Sequence, residues 1–231
     1  MSQNINLKWN GGSFSVMVAL IEVTGPAMIP DALHCHPMNV AKKQVIYRAT
    51  QHANGFYYLE EGLVGLYRIT ETGKESLLRV YGRGDYFGYR SLFSQQRYHL
   101  TTRTLLPTSL QHIHLKSIDE LQQHAPDLLK FLMTSVCQEL GEAEQRMADI
   151  AGHSAAVRIV DAILYLFKQF DYYPWTSREI AEFSGTETQT VIRVCRQLKQ
   201  RELLDPNSRK ISPLDFNRLQ SYRVALIGET R

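Results

Sequence analysis

The stretch of this chain whose residue types and spacing carry the most chemistry is 176–198, Thr-Ser-Arg-Glu-Ile-Ala-Glu-Phe-Ser-Gly-Thr-Glu-Thr-Gln-Thr-Val-Ile-Arg-Val-Cys-Arg-Gln-Leu. Ile180 and Ala181 give a short helix its inner face, and Ala181 is small where two helices must cross closely. Gly185 supplies the left-handed residue that a tight turn needs. Val191, Val194 and Leu198 then form the inner face of a second helix, which turns Thr188, Gln189, Ile192, Arg193 and Arg196 to solvent. This is the spacing of a helix-turn-helix. An outward Gln can bond adenine through two hydrogen bonds, and an Arg can do so with guanine. Thr176, Ser177, Arg178, Thr190, Arg196 and Lys210 are of the types that hold backbone phosphates. The plainer alternative is an α-hairpin with a polar face. The small residues, the basic excess and a trailing wing-like segment around Pro206-Asn207-Ser208 argue against it.

A second constellation is His34-Cys35-His36. On a strand, His-x-His puts both rings on one face, and cupin-type metal enzymes use such a pair. They also need a following Glu, whereas the next acid here is Glu60, too far along. A structural or surface pair is expected, with metal or haem ligation as the alternative. No nucleophile–His–acid set, phosphate-cradling loop or persuasively spaced carboxylate pair occurs, so catalysis is not expected. Cys35, Cys137 and Cys195 form no CxxC pair, which excludes a disulfide framework, a thiolate zinc site and a cysteine-ligated iron–sulfur cluster. Such cysteine usage fits a reducing compartment.

These residues need elements to place them. The first part of the chain alternates short apolar runs with turns, the pattern of a β barrel or sandwich. Segments 45–47, 56–59, 64–69 and 77–81 are expected strands, separated by Asn54-Gly55, Glu61-Gly62, Thr72-Gly73 and Gly82–Gly84. A later strand region covers 105–115, with Pro107 marking an edge or bulge. The apolar run 14–21 is too short to span a bilayer and reads as a strand. Ser117 and Glu120 match a capping box for a short helix over 118–124, and Pro126 is placed to open the next one. From 127 to 150, Leu128, Leu129, Leu132, Val136, Leu140, Ala143, Met147 and Ile150 recur at three- and four-residue steps. That predicts a long amphipathic helix, and its length favours a partner helix in a two-stranded coiled coil over a simple core helix. Leu132, Val136, Leu140 and Met147 are the expected seam. Gly152-His153-Ser154 ends this helix, with Ser154 capping an apolar helix over 155–170. Helices over 177–183 and 187–201 and a hairpin or wing within 203–219 complete the chain.

The segment 176–198, the long helix before it and the β-rich first part together resemble the CRP/FNR superfamily of bacterial transcription regulators, over roughly residues 33–220. Tyr57-Tyr-Leu-Glu-Glu-Gly-Leu-Val-Gly-Leu-Tyr is similar to the family's strand–turn–strand. Gly84-Asp-Tyr-Phe-Gly-Tyr-Arg-Ser-Leu-Phe is similar to its phosphate-cassette region. The resemblance implies an α+β fold: an antiparallel, cupin-like β roll, a dimerisation helix and a winged helix-turn-helix. It divides the chain into an N-terminal extension (1–24), an effector-sensing roll (25–125), a dimer helix with hinge (126–152) and a DNA-binding domain (153–231). It assigns Thr188, Gln189 and Arg193 to base reading, although the family often has Glu where Gln189 stands. Members that bind cyclic AMP carry an Arg-Ser pair where this chain has Tyr98 and His99, with Arg97 one place early, and Asp85 replaces the usual Glu. These departures speak against cyclic AMP. Gly84, Asp85, Gly88, Arg90, Ser91, Arg97, Tyr98, His99 and Thr101 are the candidate effector pocket, and Arg90, Ser91, Arg97 and Thr101 could hold another anion.

Charge supports this division. Residues 1–150 hold 14 Lys/Arg and 14 Asp/Glu, whereas 151–231 hold 12 and 9, so the whole formal charge of +3 lies in the last third. A neutral first part and a basic last part suit a sensor joined to a polyanion binder. The expected protein is a cytoplasmic, non-enzymatic, homodimeric regulator reading a near-palindrome in double-stranded DNA, with half-sites about 34 Å apart. A small effector other than cyclic AMP is its expected switch. No cofactor is specified and no membrane partner is expected; RNA polymerase is a partner if the protein activates transcription. The alternatives are a classical cyclic AMP or cyclic GMP receptor, and a cupin-like metalloprotein.

Overall fold

The computed structural model describes residues 29–228, apart from 31, 95, 96 and 116. The strand expected over 14–21 and the N-terminal extension lie outside the described residues. Strands β1 (Cys35–Val40), β3 (Gly55–Glu61), β6 (Tyr86–Phe87) and β8 (Thr108–His114) form one antiparallel sheet in the order β1-β8-β3-β6. Strands β2 (Val45–Tyr47), β4 (Val64–Ile69), β5 (Glu75–Tyr81) and β7 (Thr101–Thr104) form the other, in the order β2-β7-β4-β5. The β3–β4 hairpin turns at Gly62, whose φ of 106° and whose proximity to Thr108 (an added Cβ would lie 2.5 Å from its Oγ1) both demand glycine.

Both sheets bury apolar residues on both faces, so the described residues form three cores. Between the sheets lie Tyr47, Tyr57, Leu59, Val64, Leu66, Tyr81, Phe87, Tyr98 and Leu110. The outer face of the β1-containing sheet packs Phe56 and Ile113 against α1 (Tyr89–Phe93), α2 (Ile118–His124) and the start of α3 (Pro126–Gly152). The outer face of the second sheet packs Leu63, Tyr67, Leu77, Val80 and Leu105 against α4 (Ala155–Gln169), α5 (Ser177–Ser184) and α6 (Thr188–Gln200). A last helix, α7 (Phe216–Gly228), closes this third core through Leu219 and the buried Arg223, which pairs with Asp161 of α4.

The long helix runs unbroken for 27 residues, about 40 Å at 1.5 Å per residue. Pro126 opens it, and Ser154 caps α4 by accepting from Val157 N at 3.4 Å. Its inner face holds Leu128, Leu132 and Glu139. Arg146 ties it to the rest of the chain, donating to Leu77 O at 3.1 Å, Leu78 O at 2.6 Å and Phe183 O, with its guanidinium over the Phe183 ring. Burial lowers this arginine to about 10.

Three local expectations are corrected. Residues 105–115 are not one strand: Pro107 lies in a crossover from β7 in one sheet to β8 in the other. Ser117 precedes α2 in an extended conformation, but its side chain makes no cap hydrogen bond. The wing is shorter than 203–219: Leu204 bridges Pro213 and Asp205 N donates to Ser212 O at 2.8 Å. Residues 216–219 belong instead to α7.

Candidate nucleic-acid interface and effector cavity

Helix α5 begins at a complete capping box: Thr176 Oγ1 accepts from Glu179 N at 3.2 Å, and Glu179 Oε2 accepts from Thr176 N at 2.9 Å. It ends at Gly185 in the left-handed region, φ 63°. Arg158 of α4 fastens that turn by donating to Ser184 O and Gly185 O, both at 3.0 Å. Ile180, Ala181 and Ser184 are buried, so α5 lies closely on its neighbours. Helix α6 buries Val191, Val194, Cys195 and Leu198 and exposes Gln189, Ile192, Arg193, Arg196 and Gln197 along one side. Thr188 and Thr190 are half-buried at its first turn.

The expected phosphate contacts are placed in different situations. Arg196 and Lys210 are exposed, the latter in the wing. Thr176 is committed to the capping box, and Ser177 is half-buried beside it. Arg178 is exposed but carries two ion pairs, to Glu182 at 2.7 Å and to Glu75 of β5 at 3.2 Å. Its guanidinium is held above its usual value chiefly by the hydrogen bond to Glu182.

The candidate effector residues do not share one cavity. Gly88, Arg90, Ser91, Tyr98 and His99 line a space of about 470 Å³ between the roll and α3, which Tyr47, Leu66, Tyr81, Met133 and Val136 also line. Arg97 and Tyr98 face a second space of about 570 Å³ at the mouth of the roll, with His52, Tyr57 and His112. Tyr47 and Tyr98, ring centroids 3.7 Å apart, form the wall between the two. The Tyr98 hydroxyl donates to Gly55 O at 3.3 Å, and burial pushes it far above the usual tyrosine value. Arg97 is turned to Thr50 O at 2.8 Å. Gly84, Asp85 and Thr101 line neither cavity: Asp85 accepts from Gly82 N at 2.7 Å, and Thr101 Oγ1 accepts from Ala49 N at 3.1 Å.

One buried acid escaped sequence reasoning. Glu139 of α3 accepts from the Tyr89 hydroxyl at 3.0 Å and lies 3.8 Å from both Arg79 and Arg90. It ties α1, and so one wall of the first cavity, to the long helix. Its spacing on the helix, seven residues after the buried Leu132, was the available signal.

The expected seam residues also separate. Leu132 is fully buried inside the chain, under α2, and is not on the outer stripe. Its place is taken by Met133. Met133, Leu140, Met147 and Ile150 are 46%, 58%, 62% and 49% exposed, and Val136 and Ala143 complete the row. Met133, Leu140 and Met147 repeat every seven residues, as do Val136, Ala143 and Ile150, the a and d pattern of a coiled coil. His36 is exposed on β1 and His34 in the irregular segment just before it, so the two do not share a strand as expected; their rings lie edge to face at 4.9 Å, with His36 opposite His112. Among the described residues no three His, Cys, Asp or Glu side chains are arranged to hold a metal ion, and no helix is long and apolar enough to cross a membrane.

Residues 37–125 match the cyclic nucleotide-binding domain, and residues 157–222 match the Crp-like helix-turn-helix domain. The chain belongs to the CRP/FNR family of transcription regulators, which bind DNA through the helix-turn-helix and are not enzymes. It is 26% identical over 187 residues to the cAMP-activated global transcriptional regulator CRP of Pasteurella multocida, covering 77% of this chain and 90% of that one. An uncharacterized protein of Haemophilus influenzae is 35% identical over 99 residues, 43% of this chain and 77% of the other. The fold is similar to that of FixK2 from Bradyrhizobium japonicum, with a TM-score of 0.72 at 22% identity over 82% of this chain and 97% of that one.

Proposed function

We propose that the protein is a cytoplasmic, homodimeric, sequence-specific DNA-binding regulator switched by a small effector other than cyclic AMP. The exposed a/d row of α3 supports the dimer, since a stripe of Met, Leu, Val and Ile on a surface helix needs a partner to leave water. A two-fold seam along α3 presents two copies of α6 to successive major grooves of a near-palindrome. Thr188, Gln189 and Arg193 read bases there, with Arg196 and Lys210 on phosphates. Met133 and Val136 line the 470 Å³ cavity and also lie on the seam, so an occupant of that cavity touches the dimer interface directly. Its differential contacts with two seam arrangements are the switch. RNA polymerase is a partner if the protein activates transcription.

The observation that carries the effector reading is the Tyr47–Tyr98 stack. Tyr98 fills with an aromatic ring the place the family resemblance gives to a phosphate-binding arginine. A cyclic AMP receptor is the second reading, favoured by the similarity to cAMP-activated regulators. Selection of bound duplexes from a random DNA library tests the DNA reading: an enriched inverted repeat is expected, and no enrichment refutes it. Calorimetry with cyclic AMP and cyclic GMP tests the effector reading: no heat of binding is expected, and micromolar binding of either would restore the second reading.

A further inference from the structure

At the tip of the β4–β5 hairpin two adjacent residues of opposite charge, Lys74 and Glu75, reach across to the helix-turn-helix. Lys74 Nζ lies 2.7 Å from Glu187 Oε1. Glu75 accepts from Arg178 at 3.2 Å while Arg103 holds both of its oxygens, at 2.9 and 3.0 Å. The hairpin thus meets the beginnings of both helices, each through a pair of opposite charges.

The acid at this rim that matters is Glu187. It stands at the N-cap of α6, its side chain makes no cap hydrogen bond, and it is 74% exposed. The neighbouring acids are engaged elsewhere: Glu179 in the capping box and with the Tyr173 hydroxyl, Glu182 with Arg178. A DNA phosphate approaching the first turn of α6 would therefore meet the Glu187 carboxylate. At a separation of a few ångströms near a surface, two like charges repel by an amount that matters to affinity unless a cation lies between or beside them. Lys74, itself 61% exposed, is the cation in place.

We propose that Lys74 is a positioning residue of the DNA interface, contributed by the sensing roll: it holds and neutralises Glu187, so that phosphate can approach α6. The proposal rests on the reading that this helix-turn-helix binds DNA. It makes DNA affinity depend on the docking of the β4–β5 hairpin, with the Glu75–Arg178 pair fixing the hairpin's register.

A double-mutant cycle tests it, read by fluorescence anisotropy with the full chain and a 30-base-pair duplex enriched by the wild-type protein. Lys74→Ala is expected to weaken binding about two- to five-fold at low salt, the range of an exposed ion pair, with the loss fading as salt rises. In the Glu187→Gln background the same change should have no effect, and the swap Lys74→Glu with Glu187→Lys should regain most of the affinity. Thermal melting should be unchanged in each variant. An equal loss in both backgrounds would mean that Lys74 touches phosphate itself, and overturns the positioning role. No loss with Lys74→Ala also overturns it while leaving DNA binding intact. Failure of the wild type to retain any duplex overturns the DNA reading and this one with it.

Discussion

Leu140→Ser separates the seam from the core of α3 most cleanly. Leu140 is 58% exposed, so the change should leave the folded protomer intact. Burying a whole leucine side chain contributes about 1.5–3 kcal/mol, and a little over half of that area remains to be buried against a partner. That gives about 1–1.5 kcal/mol per copy, and the two copies lose it together. The dimer dissociation constant should rise about 30- to 150-fold, measured by sedimentation equilibrium, while the melting temperature of the diluted protomer stays put. Leu132→Ala is the matched contrast. It removes a fully buried side chain and should cost about 2–5 kcal/mol of folding stability whatever the oligomeric state. A Leu140→Ser dimer as tight as wild type, within threefold, would refute the a/d assignment.

Arg193→Ala should cost about 1–3 kcal/mol on the selected site and little on random DNA; an equal loss on both would make it a phosphate contact. Asp161→Ala strips the buried Arg223 of its carboxylate and should lower stability by about 3–5 kcal/mol in chemical denaturation, whereas Asp161→Asn should cost less. Burial, with His114 and His36 nearby, holds His112 below the usual histidine value. Its contribution to stability is therefore complete above the unfolded value near 6.5 and is lost as pH falls through the lower folded value. His112→Gln should flatten that acid-side fall in melting temperature, and parallel curves would show that His112 is not its source.

The helix-turn-helix was legible because its constraints are local. Ala181, Gly185 and the inner Val191–Val194–Leu198 spacing each answer one steric demand, and the observed left-handed cap at Gly185 follows from them, whereas the capping box at Thr176, read in sequence as a phosphate contact, was missed. Strand β4 matched its expected bounds for a similar reason, being closed by a turn at each end. Strand β7 was not legible. Thr102 and Thr104 look polar in sequence, yet both are fully buried, their hydroxyls satisfied by backbone groups such as Tyr47 N and Ala41 O. The long helix was legible as an element but not in its faces. Three- and four-residue steps run through both the inner row, Leu128 and Leu132, and the outer row, Met133 and Leu140, and periodicity alone cannot rank two adjacent stripes. The cavities were least legible, because they depend on ring orientation: Tyr98 and Arg97 are sequence neighbours, yet Tyr98 lines both spaces and Arg97 only the second.

The 27-residue helix contains Gly141 and Gly152, and an added Cβ at either would meet nothing within 4 Å. Neither glycine is there to make room. Gly141, in the interior, instead weakens the helix by about 1 kcal/mol relative to alanine, whereas Gly152 is its last residue, where glycine costs little. The helix is thus softened at one interior point, just past the cavity wall and Glu139, and ends at the other, just before Ser154 caps α4. Alanine at Gly141 would make the long helix stiffer and more stable, at the expense of this local give.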